Sequence, residues 1–375
     1  MQNKHKHIAL FMPTFQLGGG EKTFVTLANG FVRSGYDVDF VVCWKRGVFL
    51  EQLSPQVRVV EMKQRVRSVL PSLVRYISRE QPDYFLSGSD FPNYLSIIAN
   101  SLVRKSKTRI IVAQHCFYDI ESRHLGLHGR ISPWLMKYLY PKAHRVIAVS
   151  DAIRSFLINR GISENKIVRI YNPIDRKELL LLSEEQLSMP ETLPIFVSIG
   201  RLTEVKNLKF LLDAYRKFGE VLDRPDCLNL KDAPSCLKPK LFIIGDGEQK
   251  QELEHYIFSQ GLKDDVILTG QINPFPYLKA AKLLLITSYS ESFSLVVAEA
   301  ISMGKTVVST PTGGASELLD HGKYGYLSRD FVDTDAFALL MKQALLNPIS
   351  GSLLEERSKE FSLEYIMEQY QNLLS

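Results

Sequence analysis

The chain has 375 residues, of which 45% are hydrophobic and 23% are charged, with 22 glycines and 17 prolines. This composition is typical of a globular protein and excludes disordered, collagen-like and low-complexity chains. No apolar run approaches the roughly 18 residues that a membrane-spanning helix needs. At this length, two domains are expected rather than one.

The net charge of +5 conceals an asymmetry between the two halves of the chain. Residues 1–175 contain 25 Lys and Arg against 13 Asp and Glu, whereas residues 176–375 contain 21 against 28. The first half therefore carries +12 and the second half −7. We expect the first half to face an anionic partner.

Two features favour the cytosol as the compartment. The apolar run 8–12 is too short for a signal peptide, is stopped by Pro13 and lacks a small-residue cleavage site, so it predicts a buried first strand. The four cysteines form no C-x-x-C pair and indicate neither a zinc site nor a disulfide framework. They are Cys43, Cys116, Cys227 and Cys236.

Short apolar runs rich in β-branched residues alternate with helical patterns along the whole chain. Continuous apolar strands such as 283–286 are typical of a parallel sheet buried on both faces. Repeated strand–helix units predict a doubly wound α/β architecture. The predicted strands are 7–12, 37–43, 57–60, 83–87, 108–114, 145–149, 167–171, 194–199, 240–245, 265–269, 282–287 and 305–309. The helices of the first half are predicted near 21–33, 69–80, 92–103 and 151–160.

Two sheets are needed to use all of these strands, so we predict two Rossmann-like domains that face a cleft. The boundary is expected near residues 172–192, a polar stretch bracketed by prolines. The first domain is assigned to residues 1–175 and the second to 185–355, with a C-terminal helix in 356–375 packing back on the first. Residues 219–239 are too long and polar for an ordinary connection and are predicted to be a surface insertion.

The first strand leads into a glycine-rich turn, Gly18-Gly19-Gly20. Glycines at a strand-to-helix turn allow backbone N–H groups to approach a phosphate at the positive end of the helix. The turn only partly matches a nucleotide-hydrolase P-loop, because Glu21 occupies the required glycine position. A tight turn without a ligand explains the glycines equally well.

Two cations, Arg201 and Lys206, follow the predicted strand 194–199. They lie just past its carboxyl end, where open α/β sheets bind their ligands. A guanidinium and an ammonium together suit a diphosphate. Taken singly, either cation is more simply a solvated loop residue.

Two glutamates follow the predicted strand 282–287. Glu291 and Glu299 are eight residues apart, which at helical rise is roughly 12 Å, about the span of a nucleotide-sugar from ribose to sugar ring. Glu299 lies in the otherwise apolar run 295–301, where a carboxylate is costly unless it is paired or binds a ligand. The alternative is a partly exposed glutamate without a ligand.

Together these motifs resemble those of the retaining glycosyltransferases of family 4 (GT4), which have the GT-B fold. The resemblance rests on Arg201 to Lys206, on Glu291-x7-Glu299 and on the run 313–317, Gly-Gly-Ala-Ser-Glu, and it extends over nearly the whole chain. The glycine turn resembles the N-domain loop of the family. Residues 243–247 and 269–274 resemble its C-domain nucleotide-site loops.

The resemblance implies a role for each residue. Arg201 and Lys206 would neutralise the donor diphosphate. Glu299 would accept hydrogen bonds from the ribose hydroxyls, and Glu291 would lie near the donor sugar as a catalytic candidate. The other donor-binding candidates are Gly19, Gly20, Asp246, Ile272 through its backbone, and the backbone N–H groups of Phe293 and Ser294.

His115, at the end of the predicted strand 108–114, is the second catalytic candidate. In the family, a histidine at this place reaches across the cleft to the donor sugar. Without the resemblance, a satisfied core or loop histidine would be the simpler account.

The chain departs from the family pattern beside Glu291. The family has Glu-Gly-Phe-Gly where this chain has Glu291-Ser292-Phe293-Ser294. The replacement of both glycines by serine restricts the backbone at this loop.

Asp37-Val38-Asp39 spells the D-x-D sequence of metal-dependent glycosyltransferases. The two carboxylates share one face of a strand, which we predict to be a solvent-side edge of the first sheet. No other group of acids and histidines has metal-ligand spacing. Neither a metal nor another cofactor is therefore expected.

Residues 62–79 contain five cations and no acid, and residues 104–109 add four more cations. Beside them lies an apolar stripe at helical spacing, formed by Leu70, Leu73, Val74 and Ile77. Residues 134–138 offer an interfacial aromatic segment. Either the stripe faces the domain core, or the region docks on anionic lipid. The charge asymmetry favours lipid, and no nucleic-acid recognition motif accompanies the patch.

The sequence therefore predicts a retaining glycosyltransferase that moves a sugar from a nucleotide-sugar, in particular a UDP-sugar, to a growing lipid-linked glycan of bacterial-type surface polysaccharide. The expected location is the cytoplasmic face of the membrane, as a peripheral protein. Two alternatives stay open: a non-hydrolysing UDP-sugar 2-epimerase of the same fold and a non-catalytic sugar-nucleotide-binding protein.

Overall fold

The computed structural model of the protein describes residues 6–117, 127–187, 194–222 and 239–375. The chain forms two compact units, which are described separately. Unit 1 comprises Met1–Pro173 together with Glu360–Ser375, and unit 2 comprises Ile174–Lys359. Cys227, Cys236 and most of the predicted insertion lie outside the described residues.

Unit 1 is built on a seven-stranded parallel sheet in the order β3-β2-β1-β4-β5-β6-β7. The central strands are almost completely buried because helices cover both faces, as the continuous apolar runs predict. The strands are β1 His7–Met12, β2 Asp37–Val42, β3 Arg58–Glu61, β4 Tyr84–Gly88, β5 Arg109–Gln114, β6 Arg145–Ala148 and β7 Ile167–Arg169. The helices are α1 Gly19–Arg33, α2 Leu70–Glu80, α3 Asp90–Leu102, α4 Leu127–Leu139 and α5 Asp151–Asn159.

The last helix of the chain, α14 (Leu363–Leu373), packs on α1 within unit 1. Gly30 of α1 permits this contact, since a Cβ there would lie 2.6 Å from the sulfur of Met367. The ring centroids of Phe31 and Tyr370 are 5.6 Å apart in an edge-on arrangement. These apolar contacts, together with a hydrogen bond from the Tyr84 hydroxyl to the Leu374 carbonyl, attach the end of the chain to the first sheet.

Unit 2 contains a six-stranded parallel sheet in the order β10-β9-β8-β11-β12-β13. Its strands are β8 Ile195–Ile199, β9 Lys240–Ile244, β10 Val266–Gly270, β11 Leu283–Ile286, β12 Thr306–Ser309 and β13 Tyr326–Leu327. Its helices are α6 Arg176–Leu182, α7 Leu208–Leu222, α8 Lys250–Ser259, α9 Phe275–Ala280, α10 Leu295–Ser302, α11 Gly313–Leu318, α12 Thr334–Leu346 and α13 Gly351–Ser358. None of the described helices of the chain is both long and apolar enough to cross a bilayer.

All twelve predicted strands are present, with ends that differ by at most two residues. The short edge strand β13 was not predicted, because two half-buried residues leave no period in the sequence. The predicted insertion begins too early, since α7 continues through Leu222. The predicted boundary stretch 172–192 contains the helix α6.

The prediction that Asp39 lies at a solvent-side edge is wrong. Strand β2 is hydrogen-bonded on both sides, and Asp39 is only 3% exposed. Arg58 donates to both of its carboxylate oxygens at 2.7 and 2.5 Å, the Tyr76 hydroxyl donates to Oδ2, and His7 Nε2 lies 3.0 Å from Oδ2. Burial raises the pKa of Asp39, but these hydrogen bonds outweigh it and hold the pKa well below its usual range.

The apolar stripe of α2 is not available to a membrane either. Leu73 and Ile77 are fully buried in unit 1, and Leu70 and Val74 are half-buried. The stripe therefore stabilises the core, as amphipathic helices of globular domains do. The five cations of residues 62–79 are all exposed, and they are Lys63, Arg65, Arg67, Arg75 and Arg79.

The Asp39 cluster generates a prediction about the stability of unit 1. Tyr76→Phe removes one hydrogen bond to a buried carboxylate and should destabilise unit 1 by about 1.5 kcal/mol at pH 7. Hydrogen exchange of the β1 and β2 amides should accelerate, while exchange in unit 2 should not change. Because the native pKa of Asp39 is depressed, its stabilisation is present above pH 4 and is lost as the pH falls below it. Unchanged exchange at pH 7 would mean that the cluster does not stabilise the sheet.

Candidate functional site

The candidate site lies at the carboxyl edge of the unit 2 sheet, where the loops after β8, β9 and β11 meet. The first two loops approach so closely that a Cβ on Gly245 would lie 2.0 Å from the Gly200 carbonyl oxygen. Gly245 also has a φ of +144°, which L side chains rarely adopt. Gly245 of the 243–247 motif is therefore required by its backbone conformation and by the close approach of the two loops.

A pocket opens at this edge and brings the two predicted cations together. Arg201 and Lys206 both line it, and the buried hydroxyls of Thr287 and Ser288 lie across from them at the end of β11. Its other lining residues are Ser198, Ile199, Gly200, Leu208, Ile243 and Ile286. The pocket thus combines cations and hydroxyl groups over an apolar base of sheet residues.

Lys206 forms an ion pair with Glu291, with 2.6 Å between Nζ and Oε1. The Ser288 hydroxyl donates to the same carboxylate oxygen at 2.8 Å. Both ionic side chains are largely buried, with 25% of Lys206 and 15% of Glu291 exposed. The pair therefore fixes the ammonium group more firmly than a surface ion pair would.

Backbone contacts connect the Lys206 loop to the loop after β11. The Thr287 hydroxyl donates to the Lys206 carbonyl at 2.9 Å, and the Tyr289 amide donates to the Val205 carbonyl at 2.8 Å. Asn207, the next residue, adopts a left-handed conformation with φ of +50°. These contacts place Lys206 beside β11 although it follows β8 in the chain.

The loop containing Glu291 and Phe293 is held by the Gly313-Gly314 motif. The Gly314 amide donates to the Glu291 carbonyl at 2.8 Å. A Cβ on Gly314 would lie 2.6 Å from the Phe293 backbone nitrogen. The run 313–317 therefore packs against the loop that contains Glu291 and Phe293.

Glu299 is a buried carboxylate on α10, with 4% of its surface exposed. Its neighbours Val297, Ala298, Ala300 and Ile301 are all fully buried apolar residues. The alternative of a partly exposed glutamate is therefore excluded. The estimate of roughly 12 Å between Glu291 and Glu299 assumed helical rise over the whole segment. It does not apply, because the helix begins only at Leu295.

Ser294 adopts the left-handed conformation that glycine favours. Its φ and ψ are +63° and +78°, it precedes the first residue of α10, and its side chain makes no capping hydrogen bond. The left-handed region costs a residue with a Cβ about 1–2 kcal/mol. The serine that replaces a family glycine therefore keeps the glycine conformation at an energetic cost.

Asp246 and Ile272 lie on neighbouring loops of the same sheet edge. The Asp246 carbonyl accepts from the Leu202 amide at 3.0 Å, which connects it to the Arg201 loop. Its carboxylate accepts from the Gly247 amide at 2.7 Å. Ile272, after β10, is 40% exposed. Neither residue lines the pocket that contains Lys206.

The remaining predicted site residues belong to unit 1. Gly19 and Gly20 form the first turn of α1 after β1, and the Gly18 position provides no side-chain cap. His115 directly follows β5, is half-buried, and packs edge-on against Phe24 with 5.8 Å between ring centroids. Burial lowers the pKa of His115 to about 4, so the imidazole is neutral at pH 7.

A buried polar network fixes the strand end beside His115. Gln114 is fully buried and donates to Asp90 at 2.7 Å, and the Tyr140 hydroxyl donates to Gln114 at 2.6 Å. Asn93 donates to the Tyr140 hydroxyl at 3.0 Å. Satisfied networks of this kind restrict side-chain freedom, so the backbone at His115 is held in place.

The sequence analysis did not identify Thr287 and Ser288 as site residues. Both directly follow the buried strand β11, so the strand-end rule could have identified them. No group of three or more His, Cys, Asp or Glu side chains that could hold a metal ion occurs among the residues that the structure describes.

The strain at Ser294 can be measured. Ser294→Gly should stabilise the protein by about 0.5–1 kcal/mol, because glycine occupies the left-handed region without the Cβ penalty. For a domain of this size, the melting temperature should rise by roughly 2–4 °C per kcal/mol. Ser292→Gly is the matched control, because the φ of Ser292 is not positive and glycine there gains nothing. Equal effects of the two substitutions would contradict the strain.

Two family models match the chain in consecutive segments. The model Glycosyltransferase Family 4 matches residues 17–178, and the model Glycosyl transferases group 1 matches residues 182–361. The two segments correspond to most of unit 1 and to unit 2.

Relatives and a solved structure agree with these models over nearly their whole lengths. The Rhizobium meliloti lipopolysaccharide core biosynthesis glycosyltransferase LpsE is 24% identical, with 96% of each chain covered. A Campylobacter jejuni alpha-1,4-N-acetyl-D-galactosaminyltransferase, named for a diNAcBac-PP-undecaprenol-linked substrate, is 24% identical with 98% of each covered. The Anabaena HepE structure with UDP-glucose superimposes with a TM-score of 0.78 at 21% identity, covering 99% of each chain.

The two parallel-sheet units have the architecture of the GT-B fold, and the family models, the relatives and the motif spacing agree on one assignment. The chain belongs to the family 4 glycosyltransferases and is a transferase of the glycosyltransferase type.

Proposed function

We propose that this glycosyltransferase transfers a sugar from a UDP-sugar, with retention of anomeric configuration, to a growing lipid-linked glycan of bacterial surface polysaccharide. The observation that carries the proposal is the pocket in unit 2 that Arg201, Lys206 and Ser288 line, with Glu291 bound to the last two. The products would be lipopolysaccharide, capsule or exopolysaccharide intermediates.

The two cations are suited to the leaving group of the reaction. A nucleoside diphosphate gains negative charge as the glycosidic bond breaks, and preorganised cations stabilise that charge most strongly in the transition state. Arg201 is exposed at the mouth of the pocket and can bind phosphate oxygens in a bidentate manner. Lys206 supplies a compact second charge, so the site needs no metal ion.

Glu291 and Ser288 position Lys206 for this role. The carboxylate accepts from both groups, which leaves the ammonium with two further N–H donors for phosphate oxygens. The pocket keeps a net positive charge because Arg201 adds a second cation to the neutralised pair. We place Glu291 near the donor sugar, where its second carboxylate oxygen can accept from a hydroxyl group.

The neutral state of His115 defines what the residue can do. A neutral imidazole offers one N–H donor and one acceptor, so it can orient sugar hydroxyls without adding positive charge. In a retaining transfer, the acceptor attacks from the face that the nucleotide leaves, and the departing phosphate is placed to take the acceptor proton. We therefore assign His115 to donor-sugar orientation rather than to general base catalysis.

The donor and acceptor classes are suggested by the relatives. The Anabaena structure contains UDP-glucose, and the Campylobacter relative is named for an undecaprenol-linked glycan. The acceptor of this protein would then lie in a bilayer, and the basic surface of unit 1 would bring the enzyme to the cytoplasmic face as a peripheral protein.

A donor screen tests the proposal. Purified protein is offered UDP-, GDP- and ADP-sugars in excess EDTA, and binding is scored as a rise in melting temperature. A UDP-sugar should give the largest rise, and transfer of its sugar to a lipid-linked acceptor should proceed in the same buffer. Epimerised donor without transfer would indicate an epimerase, and binding without turnover on any acceptor would indicate a binding protein. If transfer is completely lost in EDTA and Mg²⁺ restores it, the proposal of a metal-free diphosphate site is contradicted.

Removal of either cation should lower turnover. Arg201→Ala and Lys206→Ala are each expected to reduce kcat/KM by on the order of 100-fold or more, because each withdraws charge stabilisation from the leaving diphosphate. Lys209→Ala is the matched control, since Lys209 pairs with Glu252 at 2.5 Å outside the pocket. Steady-state kinetics with the identified donor measures the effect. Full activity of either variant would mean that the substituted residue does not stabilise the leaving diphosphate.

Glu299→Gln tests the ribose assignment. The amide keeps the shape of the side chain but replaces one acceptor by a donor, so the donor KM should rise more than kcat falls. Glu291→Gln is the comparison, because a group beside the reacting sugar should lower kcat more than it raises KM. An unchanged donor KM in a folded Glu299→Gln variant would make Glu299 structural.

His115→Ala should reduce turnover severely and leave UDP affinity nearly unchanged, because the residues proposed to bind the diphosphate, Arg201 and Lys206, belong to unit 2. Calorimetric titration with UDP measures the affinity, and NMR of the product measures turnover and shows which anomer forms. A β-linked product from an α-linked donor would exclude retention.

The folded pKa of His115, about 4, lies below the unfolded value of about 6.5, so the free energy of unfolding is highest above pH 6.5 and decreases as the pH falls toward 4.

A further inference from the structure

The loops that follow β1 and β2 lie against each other at the carboxyl edge of the unit 1 sheet. The Phe15 amide donates to the Arg46 carbonyl at 2.9 Å, and the Phe49 amide donates to the Phe15 carbonyl at 3.1 Å. Gly47 has a φ of +131°, and a Cβ there would lie 2.1 Å from the Phe15 carbonyl oxygen. Only glycine fits this position, so the two loops form one closely packed structure.

The backbone amides of residues 43–46, in the second of these loops, all donate hydrogen bonds. The Pro13 carbonyl accepts from the first two, those of Cys43 and Trp44, at 3.0 and 3.2 Å. The third amide donates to the Glu61 carboxylate at 2.8 Å, and the fourth donates to the Trp44 carbonyl at 2.9 Å. Because the loop is already held in this way, it loses little further conformational freedom when a ligand binds to it.

The two loops present both apolar side chains and cations to solvent. Leu17, Trp44 and Val48 are 48%, 37% and 50% exposed. Lys45 and Arg46, which separate Trp44 from Val48 in the chain, are exposed as well. We define these five residues as the carboxyl-edge platform. Exposed apolar side chains that are accompanied by polar groups and held on a rigid support are typical of a ligand-contact surface.

The platform lies on the same edge of the sheet as His115 and at the same level. The register of β2, β1, β4 and β5 aligns Val42 with Ala113 across the sheet, and Trp44 and His115 each lie two residues beyond that level. Strands β2 and β5 are three places apart in the sheet, which at the usual strand spacing is roughly 14 Å. That separation exceeds the width of one pyranose ring.

We propose that the carboxyl-edge platform binds a pyranose ring of the acceptor glycan beyond the ring that receives the sugar, with the bound ring stacked on Trp44. The inference rests on the proposed transfer to a growing glycan, whose reacting ring would lie beside the donor sugar that His115 orients. A pyranose has an apolar face of C–H groups and a rim of hydroxyls, and an indole offers a flat apolar face and an N–H donor. Lys45 and Arg46 can donate to oxygens at the rim.

The mixed chemistry of the platform favours a sugar ring over a lipid chain as its occupant. A hydrocarbon chain gains from a continuous apolar surface, and charged groups that are desolvated against it are costly. Lys45 and Arg46 interrupt the apolar side chains of the platform, whereas a sugar ring is apolar on its face and polar at its rim. Because contacts to a remote ring can contribute to transition-state binding, the enzyme should prefer acceptors of two or more sugar residues.

Trp44 itself reports occupation of the platform. The chain contains two tryptophans, so Trp134→Phe leaves Trp44 as the only indole. This full-length variant is titrated, without donor, with glucose, N-acetylglucosamine, mannose and galactose and with the di- and trisaccharides of each. At least one series should quench or shift the emission of Trp44, and its trisaccharide should bind more tightly than its monosaccharide. No change with any sugar would overturn the proposal, as would a change only with a polyprenyl phosphate in detergent.

Trp44→Ala tests the platform in the transfer reaction. With a water-soluble trisaccharide acceptor, kcat/KM for the acceptor should fall by on the order of tenfold, because an aromatic contact to a sugar ring is lost. With the single-sugar counterpart it should not change, and the donor KM should not change with either acceptor. Trp44→Phe keeps a flat ring and should retain most of the activity. Phe258→Ala, which removes an exposed aromatic side chain of unit 2, is the control and should react as the wild type does.

The outcomes separate this proposal from the proposed function. Unchanged kinetics of Trp44→Ala in an enzyme that transfers sugar would overturn the platform alone, and equal losses with the long and the single-sugar acceptor would show a merely structural residue and overturn it too. If the wild type transfers to no acceptor, the proposed function is contradicted, whereas the titration still decides whether Trp44 binds sugar. Circular dichroism melting verifies folding, and if Trp44→Ala is unfolded, Lys45→Ala with Arg46→Ala replaces it with the same expectation.

Discussion

The ion pair between Lys206 and Glu291 is the interaction on which the candidate site depends. It joins the loop after β8 to the loop after β11, two strands that are neighbours in the sheet but about 85 residues apart in the chain. Ser288 and the backbone contacts of Thr287 and Tyr289 reinforce the same connection. Because both strands are parallel and fully buried, their polar successors can collect only at the carboxyl edge, where a ligand can reach them.

The glycines and serines around this pair show how closely the backbone is constrained. Gly245 and Gly314 have no room for a Cβ, since backbone atoms lie within 3 Å of where one would be. Ser294 keeps a left-handed conformation although it has a Cβ. Strain retained at such a position is consistent with a functional constraint, because a loop free to relax would adopt a cheaper conformation. Ser294 therefore holds this loop in a conformation that glycine would adopt at lower energy.

Buried charge has a different role in unit 1. Asp39, on β2, is satisfied by Arg58 of β3, Tyr76 of α2 and His7 of β1, so its carboxylate joins two neighbouring strands and a helix. Its sequence context, Asp-x-Asp, resembles a metal motif, yet Arg58, Tyr76 and His7 satisfy the buried carboxylate within the fold. A function can therefore be assigned to a charged motif at the start of a strand only when the groups that surround it in the fold are known.

The sequence by itself determined the two parallel sheets, nearly every strand and the two cations of the unit 2 pocket, Arg201 and Lys206, because hydrophobic period and strand-end position are local properties of the chain. It could not determine that Asp39 is buried, that the stripe of α2 faces the core, or that the helix after Glu291 starts only at Leu295. Those features depend on which strands and helices become neighbours. The side of α2 that is buried was decided by packing on the sheet, and the exposed face of Trp134 and Tyr138 was decided by the same packing of α4. Amphipathic pattern identifies an apolar face, but only tertiary contact establishes whether that face meets a core or remains in solvent.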